Sequence, residues 1–267
     1  MVDLRHFFGL KQEPFPQDVP LKQLYQLPSL SPVESSVQFS VMNKAIAIIT
    51  GDVGSGKSTS LRYVCSKFHS SEYAIIPLVG GNYSTMELYR QILLHFGVLY
   101  QSYQISIMAD KIRQQLLEIA SRKVTPVLVV DEAHLLKRSV FAQLHTLAQF
   151  EYDSKPVLSI ILCGQDYLIE HMVSSPVKPL ASRVLGRNHL EAIRKEVMEE
   201  YVMHHLQIAG LTKQIFSPEA LFAIHQSSGG LLRKANNICK TAMLAAAFEN
   251  NSTVSADHVR MASTETF

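Results

Sequence analysis

The chain has 267 residues, of which 47% are hydrophobic and 18% charged, and its formal net charge is +2 at pH 7. This balance is typical of a globular protein with one large or two smaller domains, and it allows a substantial buried core. No apolar run approaches the ~18 residues of a membrane span, and the N-terminus lacks a signal-peptide layout, so we expect a cytoplasmic protein. The three cysteines are isolated, which argues against a metal knuckle or a disulfide framework.

The first part of the chain predicts an N-terminal arm over residues 1–29. Prolines recur through the first forty residues, which excludes one long helix and favours an irregular segment with short helical pieces. Four apolar runs then predict strands, at 45–50, 73–79, 127–130 and 158–162. Amphipathic helical patterns separate them, and Ser84 with Glu87 forms a capping-box signature at the start of one. Strands alternating with helices predict an α/β domain over 30–190, a parallel sheet with helices on both faces.

From about residue 190 the pattern is helical only. Gly210 is expected to end a first helix, and Ser217 with Pro218 supplies an N-cap and first-turn residue for a second, which Gly229 and Gly230 end. A third helix is predicted over 231–248, and Ser255 caps a fourth. We therefore predict a small all-helical domain over 191–267.

The most informative motif lies at 51–58, where GDVGSGKS fits the phosphate-loop pattern G-x-x-x-x-G-K-[ST]. A predicted strand precedes it and a helical pattern follows, as the motif requires. Backbone N–H groups of such a loop surround phosphate oxygens at a helix N-terminus, Lys57 is expected to reach the β- and γ-phosphates, and Ser58 to ligate Mg²⁺. The predicted nucleotide-binding residues of the loop are Gly51, Val53, Gly54, Ser55, Gly56, Lys57, Ser58 and Thr59. The alternative is a glycine-rich turn that fits the pattern by chance.

A second signal is Asp131-Glu132, directly after the strand at 127–130. In phosphate-loop enzymes an acidic residue at such a strand end holds Mg²⁺, and the adjacent carboxylate polarises the attacking water as general base. The alternative is a solvated acidic pair. Together the two motifs predict ATP hydrolysis. Guanine specificity is disfavoured, because the N-K-x-D pattern fails at Ile46.

Residues 131–134 also match the DEAH box of helicases. Such helicases need a second nucleotide-binding-type domain of roughly 150 residues, and too little chain follows to contain one. We therefore expect His134 to pack at a helix start. The histidines as a group show no metal-ligand spacing with cysteines or carboxylates.

Four further polar residues are candidates for the site. Gln165 follows the fourth strand, where it would sense the γ-phosphate or cap a helix. Arg183 and Arg187 precede the helical domain, either as surface charges or as an arginine finger that acts in a neighbouring subunit, and we favour Arg183. Arg233 lies in the first turn of a helix, where a positive charge opposes the helix dipole, which suggests that it contacts the nucleotide.

The phosphate loop, the acidic strand end, the sensor position, the arginines and the helical segment with Gly-Gly-Leu-Leu-Arg together resemble an AAA+ ATPase over about residues 30–265. More narrowly, FFGL at 7–10, Pro14-Phe15, the loop at 51–58 and LCGQ at 162–165 resemble the group typified by the secretion accessory ATPase ExeA, which includes ATPases similar to the transposition helpers TniB and MuB. The resemblance implies a five-stranded sheet with a lid, ATP and Mg²⁺ held between them, and ATP-dependent assembly into rings or filaments. Cys163 departs from the group, where a small aliphatic residue is more usual.

Within this group we expect a DNA-binding transposition helper that assembles on double-stranded DNA and regulates a transposase. The ExeA-like alternative is expected to carry a membrane span and a wall-binding region after the ATPase, and the chain stops at Phe267 without either. DNA contacts would come from Lys111 and Arg113 or from Arg122 and Lys123, unless these are solvated helix charges. A scaffold that binds ATP without hydrolysing it is the third possibility.

Overall fold

The computed structural model describes residues 3–99 and 104–265. Five strands occur in the described part, with these bounds: β1 (Ile46–Gly51), β2 (Tyr73–Val79), β3 (Thr125–Asp131), β4 (Ser159–Gly164) and β5 (Val184–Leu190). The helices are α1 (Leu4–Phe8), α2 (Leu30–Met42), α3 (Lys57–Cys65), α4 (Thr85–His95), α5 (Ile105–Ser121), α6 (Arg138–Ala148), α7 (Tyr167–Val173), α8 (Lys178–Ala181), α9 (Lys195–Ile208), α10 (Pro218–Ser228), α11 (Leu232–Phe248) and α12 (Ala256–Glu265).

The chain divides into two compact units. One unit, called the α/β unit here, contains residues 29–51 and 57–190. The other, called the helical unit, contains the chain up to Pro28, the short segment 52–56 and the chain from Glu191 onward. The N-terminal arm and most of the phosphate loop are therefore grouped with the C-terminal helices.

All strand pairs in the α/β unit are parallel, in the order β2-β3-β4-β1-β5. Every residue of β1 and of β4 is buried, because helices cover both faces of the sheet, and this explains their continuous apolar sequences. In register, Ile48 lies opposite Leu162, and Leu162 opposite Val130, on the face covered by α4 to α7. The predicted parallel sheet with two helical layers is confirmed.

The apolar patterns of the sequence do not predict strand β5. A fifth strand is expected only from the family resemblance. It pairs with β1 at the edge of the sheet, and three of its seven residues, Arg187, Asn188 and His189, carry polar side chains. An edge strand with one solvated side lacks the apolar run that marks a buried parallel strand. The sequence of this segment is therefore typical of a polar loop between two domains, although the structure forms a strand there.

Helix α2 is not predicted from the sequence, because the prolines of the first forty residues favour an irregular segment with short helical pieces. Pro32 lies in the first turn of α2, where its missing N–H group would have no partner within the helix. The helix buries Val33, Val37 and Val41 against the sheet. A proline therefore marks the beginning of this helix.

In the helical unit, the predicted helix boundaries are confirmed at several caps. The Ser217 hydroxyl accepts from the N–H of Ala220, and Pro218 is the first residue of α10. Gly229 ends α10 with φ +61°, a left-handed conformation that glycine adopts at little cost. In the α/β unit, the capping role of Ser84 is confirmed as well, since its hydroxyl accepts from the N–H of Glu87 at 3.2 Å.

The N-terminal arm packs on the helices of its own unit. Phe15 is 1% exposed and stacks on the His205 ring, with ring centroids 5.3 Å apart, and its edge meets Phe216. The N–H of Lys11 donates to the carbonyl of Ala209 at 2.8 Å. The arm is thus an integral part of the helical unit, held by aromatic packing and backbone hydrogen bonds.

His205 predicts a pH dependence of stability. Burial, with smaller contributions from His204 and Lys240, lowers the pKa of His205 to about 4 from the ordinary value of 6.5. Above pH 6.5 both folded and unfolded chains hold a neutral imidazole; below it the unfolded chain binds the proton first, so stability falls until about pH 4. The difference of about 2.5 pH units corresponds to about 3 kcal/mol.

Urea denaturation at pH 7 and pH 4.5 measures this loss. We expect His205→Phe, which retains the stacking on Phe15 and Tyr201 but cannot titrate, to lose less stability than the wild type over that interval. An equal loss in both proteins would contradict the assignment.

Candidate nucleotide site

The predicted strand, loop and helix context of the phosphate loop is confirmed. β1 ends at Gly51 and α3 begins at Lys57. Gly54 and Gly56 have φ angles of +84° and +96°, in the region where a residue with a side chain would be strained. Lys57 is buried, whereas Ser58 and Thr59 at the start of α3 are exposed.

The loop carries a buried polar atom that suits a phosphate ligand. Ser55 is 4% exposed, and its hydroxyl has no hydrogen-bond partner within the part of the chain that the structure describes. Buried hydroxyls are normally hydrogen-bonded, so this one has unused capacity in a loop that leads into a nine-residue helix. The N-terminus of a helix favours anions, and the residues present therefore fit a polyphosphate.

The acidic pair lies at the carboxyl end of β3. The Asp131 carboxylate accepts from the N–H of Glu132 at 2.9 Å. Glu132 itself has φ +52° and ψ +33°, a left-handed conformation that is uncommon for a residue with a side chain and that turns the chain abruptly after the strand. Such backbone strain is concentrated at functional sites, and here it falls on the residue predicted as general base.

Gly80 makes this turn possible. Its N–H donates to the carbonyl of Asp131 at 2.6 Å, and a Cβ at this position would lie 2.3 Å from the carbonyl oxygen of Glu132. Gly80, which follows β2, thus lies so close to the backbone of the acidic pair that a residue with a Cβ would clash with it. The sequence patterns gave no signal for this role.

We expect Gly80→Ala to displace the acidic pair and to reduce both stability and ATP turnover. Because the clash is with backbone atoms, the stability loss should be about 1–3 kcal/mol. Gly81→Ala is a neighbouring control, since a Cβ there would meet the ring of Tyr83, a side chain that can turn away. Thermal unfolding and phosphate release measure the two effects, and equal behaviour of both variants would contradict this account.

Cys163 on β4 lies beside the acidic pair. Its thiol is fully buried, and burial, followed by the charge and hydrogen bond of Asp131, raises its pKa well above the ordinary range. The thiol therefore stays protonated and donates to the Asp131 carboxylate. The charge of Lys57 acts in the opposite direction and lowers the pKa of this thiol, whereas that of Glu132 raises it. Sequence reasoning noted Cys163 as an exception to the family pattern and missed its contact with Asp131.

Gln165 follows β4 and is partly exposed. Helix α7 begins after Asp166, whose side chain makes no capping hydrogen bond, and the N–H of Leu168 donates to the carbonyl of Gln165 at 2.9 Å. The backbone N–H of Gln165 lies 3.4 Å from Nδ1 of His134. The side chain remains at the carboxyl edge of the sheet, next in strand order to Asp131.

A polar cluster at the same edge was not predicted. Nδ1 of His189, on β5, lies 3.1 Å from the hydroxyl of Thr50 and 3.0 Å from the carboxylate of Asp166. When this nitrogen carries a hydrogen, it can donate to either oxygen, and the cluster joins the ends of β1, β4 and β5. The residues are distant in sequence, and no pattern indicates their proximity.

The two candidate finger arginines differ in their surroundings. Arg183 is partly buried, forms an ion pair with Asp153 and donates to the carbonyl of Ala148 at 3.2 Å. Arg187 lies on the edge strand β5 and is exposed. An Arg183 finger would have to leave its ion pair, whereas Arg187 is available at the surface.

In the helical unit, Arg233 contacts the segment of the phosphate loop that belongs to that unit. Its N–H donates to the carbonyl of Gly54 at 3.1 Å, and a Cβ on Gly54 would lie 3.0 Å from its Cβ. Gly56 is similarly close to Leu232. The first turn of α11 therefore packs directly on loop residues 52–56, and the Arg233 side chain is exposed.

The basic residues proposed for DNA lie on or next to α5. Arg113 donates to the carbonyl of Thr146 at 2.7 Å and pairs with Asp110, and Arg122 pairs with Glu118. These contacts are those of ordinary helix surface charges. No helix among the described residues is long and apolar enough to cross a membrane.

Comparison with known proteins agrees with this geometry. Residues 41–172 match the profile of a family described as "AAA domain". The structure has the P-loop fold of the AAA+ type, which is consistent with ATP hydrolysis.

Among curated proteins, the chain is similar to General secretion pathway protein A of Aeromonas hydrophila, with 31% identity over 242 residues. The alignment covers 90% of this chain and 44% of that protein, so the chain spans less than half the length of its relative. Among solved structures, it is similar to Cdc6p from Pyrobaculum aerophilum, with a TM-score of 0.71, 16% identity and coverage of 100% of this chain and 72% of the other.

The Aeropyrum pernix ORC1 protein in complex with DNA is also similar, with a TM-score of 0.66, 14% identity and coverage of 94% of this chain and 66% of the other. At these identities the two structures bear on the fold alone. They support the predicted AAA+ arrangement of a five-stranded sheet followed by helices.

Proposed function

We propose that this protein hydrolyses ATP with Mg²⁺, using a site built from the phosphate loop and the carboxyl ends of β3 and β4. The single observation that carries the proposal is the strand register, in which β4 pairs with β1, which leads into the phosphate loop, and with β3, which ends at Asp131. The acidic pair and the loop with Lys57 therefore follow strands that end at the same edge of the sheet, an arrangement that suits a metal-bound polyphosphate.

The loop residues bind and orient the triphosphate in this proposal. N–H groups over 51–59 surround the phosphate oxygens, and Lys57 donates to the β- and γ-phosphates. The hydroxyl of Ser58 and the carboxylate of Asp131 would hold Mg²⁺, since oxygen ligands are those it prefers. When bound, Mg²⁺ would supply positive charge that offsets the negative charge developing on the phosphates during transfer.

Glu132 takes the proton from the attacking water. Its side chain is 41% exposed, so water has access to the carboxylate. Gln165 orients the γ-phosphate, and Arg233 contributes a positive charge next to Gly54. Arg183, or the more exposed Arg187, supplies the finger of a neighbouring subunit in an assembled ring or filament.

Phosphate release from the purified chain tests this proposal. We expect turnover with ATP and Mg²⁺, and its loss when EDTA removes the metal. A fluorescent ATP analogue measures binding in parallel. Binding without any turnover would support the non-hydrolysing scaffold, and absence of binding would contradict the nucleotide site altogether.

For the biological process, we infer a role like that of a secretion accessory ATPase. The 31% identity to General secretion pathway protein A supports this choice, and none of the relatives described above is named for transposition. Because the chain matches 44% of that relative, the secretion role concerns the ATPase part of such a protein.

A DNA-binding transposition helper is the second candidate. The similar ORC1 structure contains DNA, which makes the fold compatible with DNA binding, although the fold alone does not define function. Binding of a DNA duplex, with and without a non-hydrolysable ATP analogue and at several salt concentrations, separates the candidates. Salt-dependent binding that requires the analogue would favour the helper, and no binding at low salt in either state would exclude it.

A further inference from the structure

His134 has no role in the mechanism of ATP hydrolysis proposed above. It lies in the 3₁₀ turn Ala133–Leu135, directly after the left-handed Glu132, and its side chain is 9% exposed. The turn packs on the end of β4 so closely that a Cβ on Gly164 would lie 3.0 Å from the His134 nitrogen and 3.1 Å from its Nδ1. The ring is therefore held between the end of β3 and the end of β4.

Two groups compete for Nδ1 of this ring. The backbone N–H of Gln165 lies 3.4 Å from it, and Oε2 of Glu132 also lies 3.4 Å from it. The first group is a donor and the second, when ionised, is an acceptor only. In a neutral imidazole, Nδ1 accepts from the donor when the ring hydrogen is on Nε2, and it donates to the carboxylate when that hydrogen is on Nδ1.

The two arrangements exclude each other. With a bare Nδ1, the Gln165 N–H is satisfied and the lone pair of the ring repels the Glu132 carboxylate. With a hydrogen on Nδ1, the carboxylate is drawn to the ring and the Gln165 N–H is left to another acceptor. A γ-phosphate oxygen is the acceptor that the proposed site would supply.

We propose that His134 is a positioning residue of the ATPase, whose Nδ1 alternates between the Gln165 N–H and the Glu132 carboxylate. It thereby links the segment next to the γ-phosphate to the orientation of the general base. The inference rests on the proposed ATP hydrolysis. It concerns the rate of the chemical step, because neither partner of the ring belongs to the phosphate loop.

Three variants test the link. His134→Ala removes both contacts, His134→Leu keeps an apolar side chain of substantial size without polar atoms, and His134→Asn retains a short acceptor and a donor. We expect kcat for ATP to fall about 10- to 100-fold in the alanine and leucine variants, because a misplaced base costs rate. KM for ATP and nucleotide affinity should stay unchanged, and His134→Asn should recover most of kcat.

The outcomes separate this inference from the proposed function. If the wild type releases no phosphate, the ATPase proposal itself fails. If the wild type is active and the leucine variant keeps its kcat, the role of His134 is overturned. An asparagine variant as slow as the leucine variant, at equal thermal stability, also overturns it, because only the polar contacts distinguish these two side chains.

Discussion

Replacing Glu132 by glutamine is expected to reduce ATP turnover by about 10²–10⁴-fold, the usual contribution of a general base. The amide is nearly the same size as the carboxylate and cannot take a proton from water. Binding of ATP should persist, because the loop and Lys57 are untouched. Steady-state phosphate release and binding of a fluorescent ATP analogue measure the two quantities on the same preparation.

Glu72→Gln is the matched control for this variant. Glu72 is exposed and immediately precedes β2, at the amino edge of the sheet, and so lies at the opposite edge from Glu132. The same chemical change there should leave turnover unaltered. Wild-type turnover in Glu132→Gln would remove Glu132 from the mechanism.

Replacing Lys57 by methionine is expected to weaken ATP binding. Methionine keeps the apolar stem of this buried side chain and removes its ammonium group. A hydrogen bond to a charged group contributes about 1.5–3 kcal/mol, so affinity should fall roughly 10- to 150-fold. Turnover should fall as well, since the same ammonium group stabilises charge on the phosphates during transfer.

Lys67→Met serves as the comparison, because Lys67 lies just after α3 and its ammonium group sits 4.6 Å from the centre of the Tyr63 ring. That variant should bind ATP like the wild type. If Lys57→Met binds ATP with full affinity, the loop is a glycine-rich turn rather than a phosphate site.

Much of the α/β unit was predictable because its strands are buried on both sides. β1, β3 and β4 each contain an apolar run that no exposed element would carry, and each was predicted from the sequence. The motif residues were predictable for a different reason. Phosphate binding requires glycines and a lysine at fixed spacing. The nucleotide-binding residues can therefore be predicted from the sequence before the fold is known.

The features that were missed depend on contacts between distant residues. The approach of Gly80 to Glu132, the contact of Cys163 with Asp131 and the Thr50, His189 and Asp166 cluster each join different strands of the sheet. Local periodicity carries no information about such contacts. His134 was expected to be a packing residue, and its two competing partners emerge only from the spatial proximity of β3 and β4.

The contact between α11 and the loop segment 52–56 affects how the chain can be divided for experiments. A truncated protein that stops at Leu190 would retain the whole motif GDVGSGKS yet lose the backbone donor of Arg233 and the side chain of Leu232 that support Gly54 and Gly56. Poor nucleotide affinity in such a fragment would reflect an unsupported loop. Deletion analysis of ATP binding therefore requires the C-terminal helices to be kept.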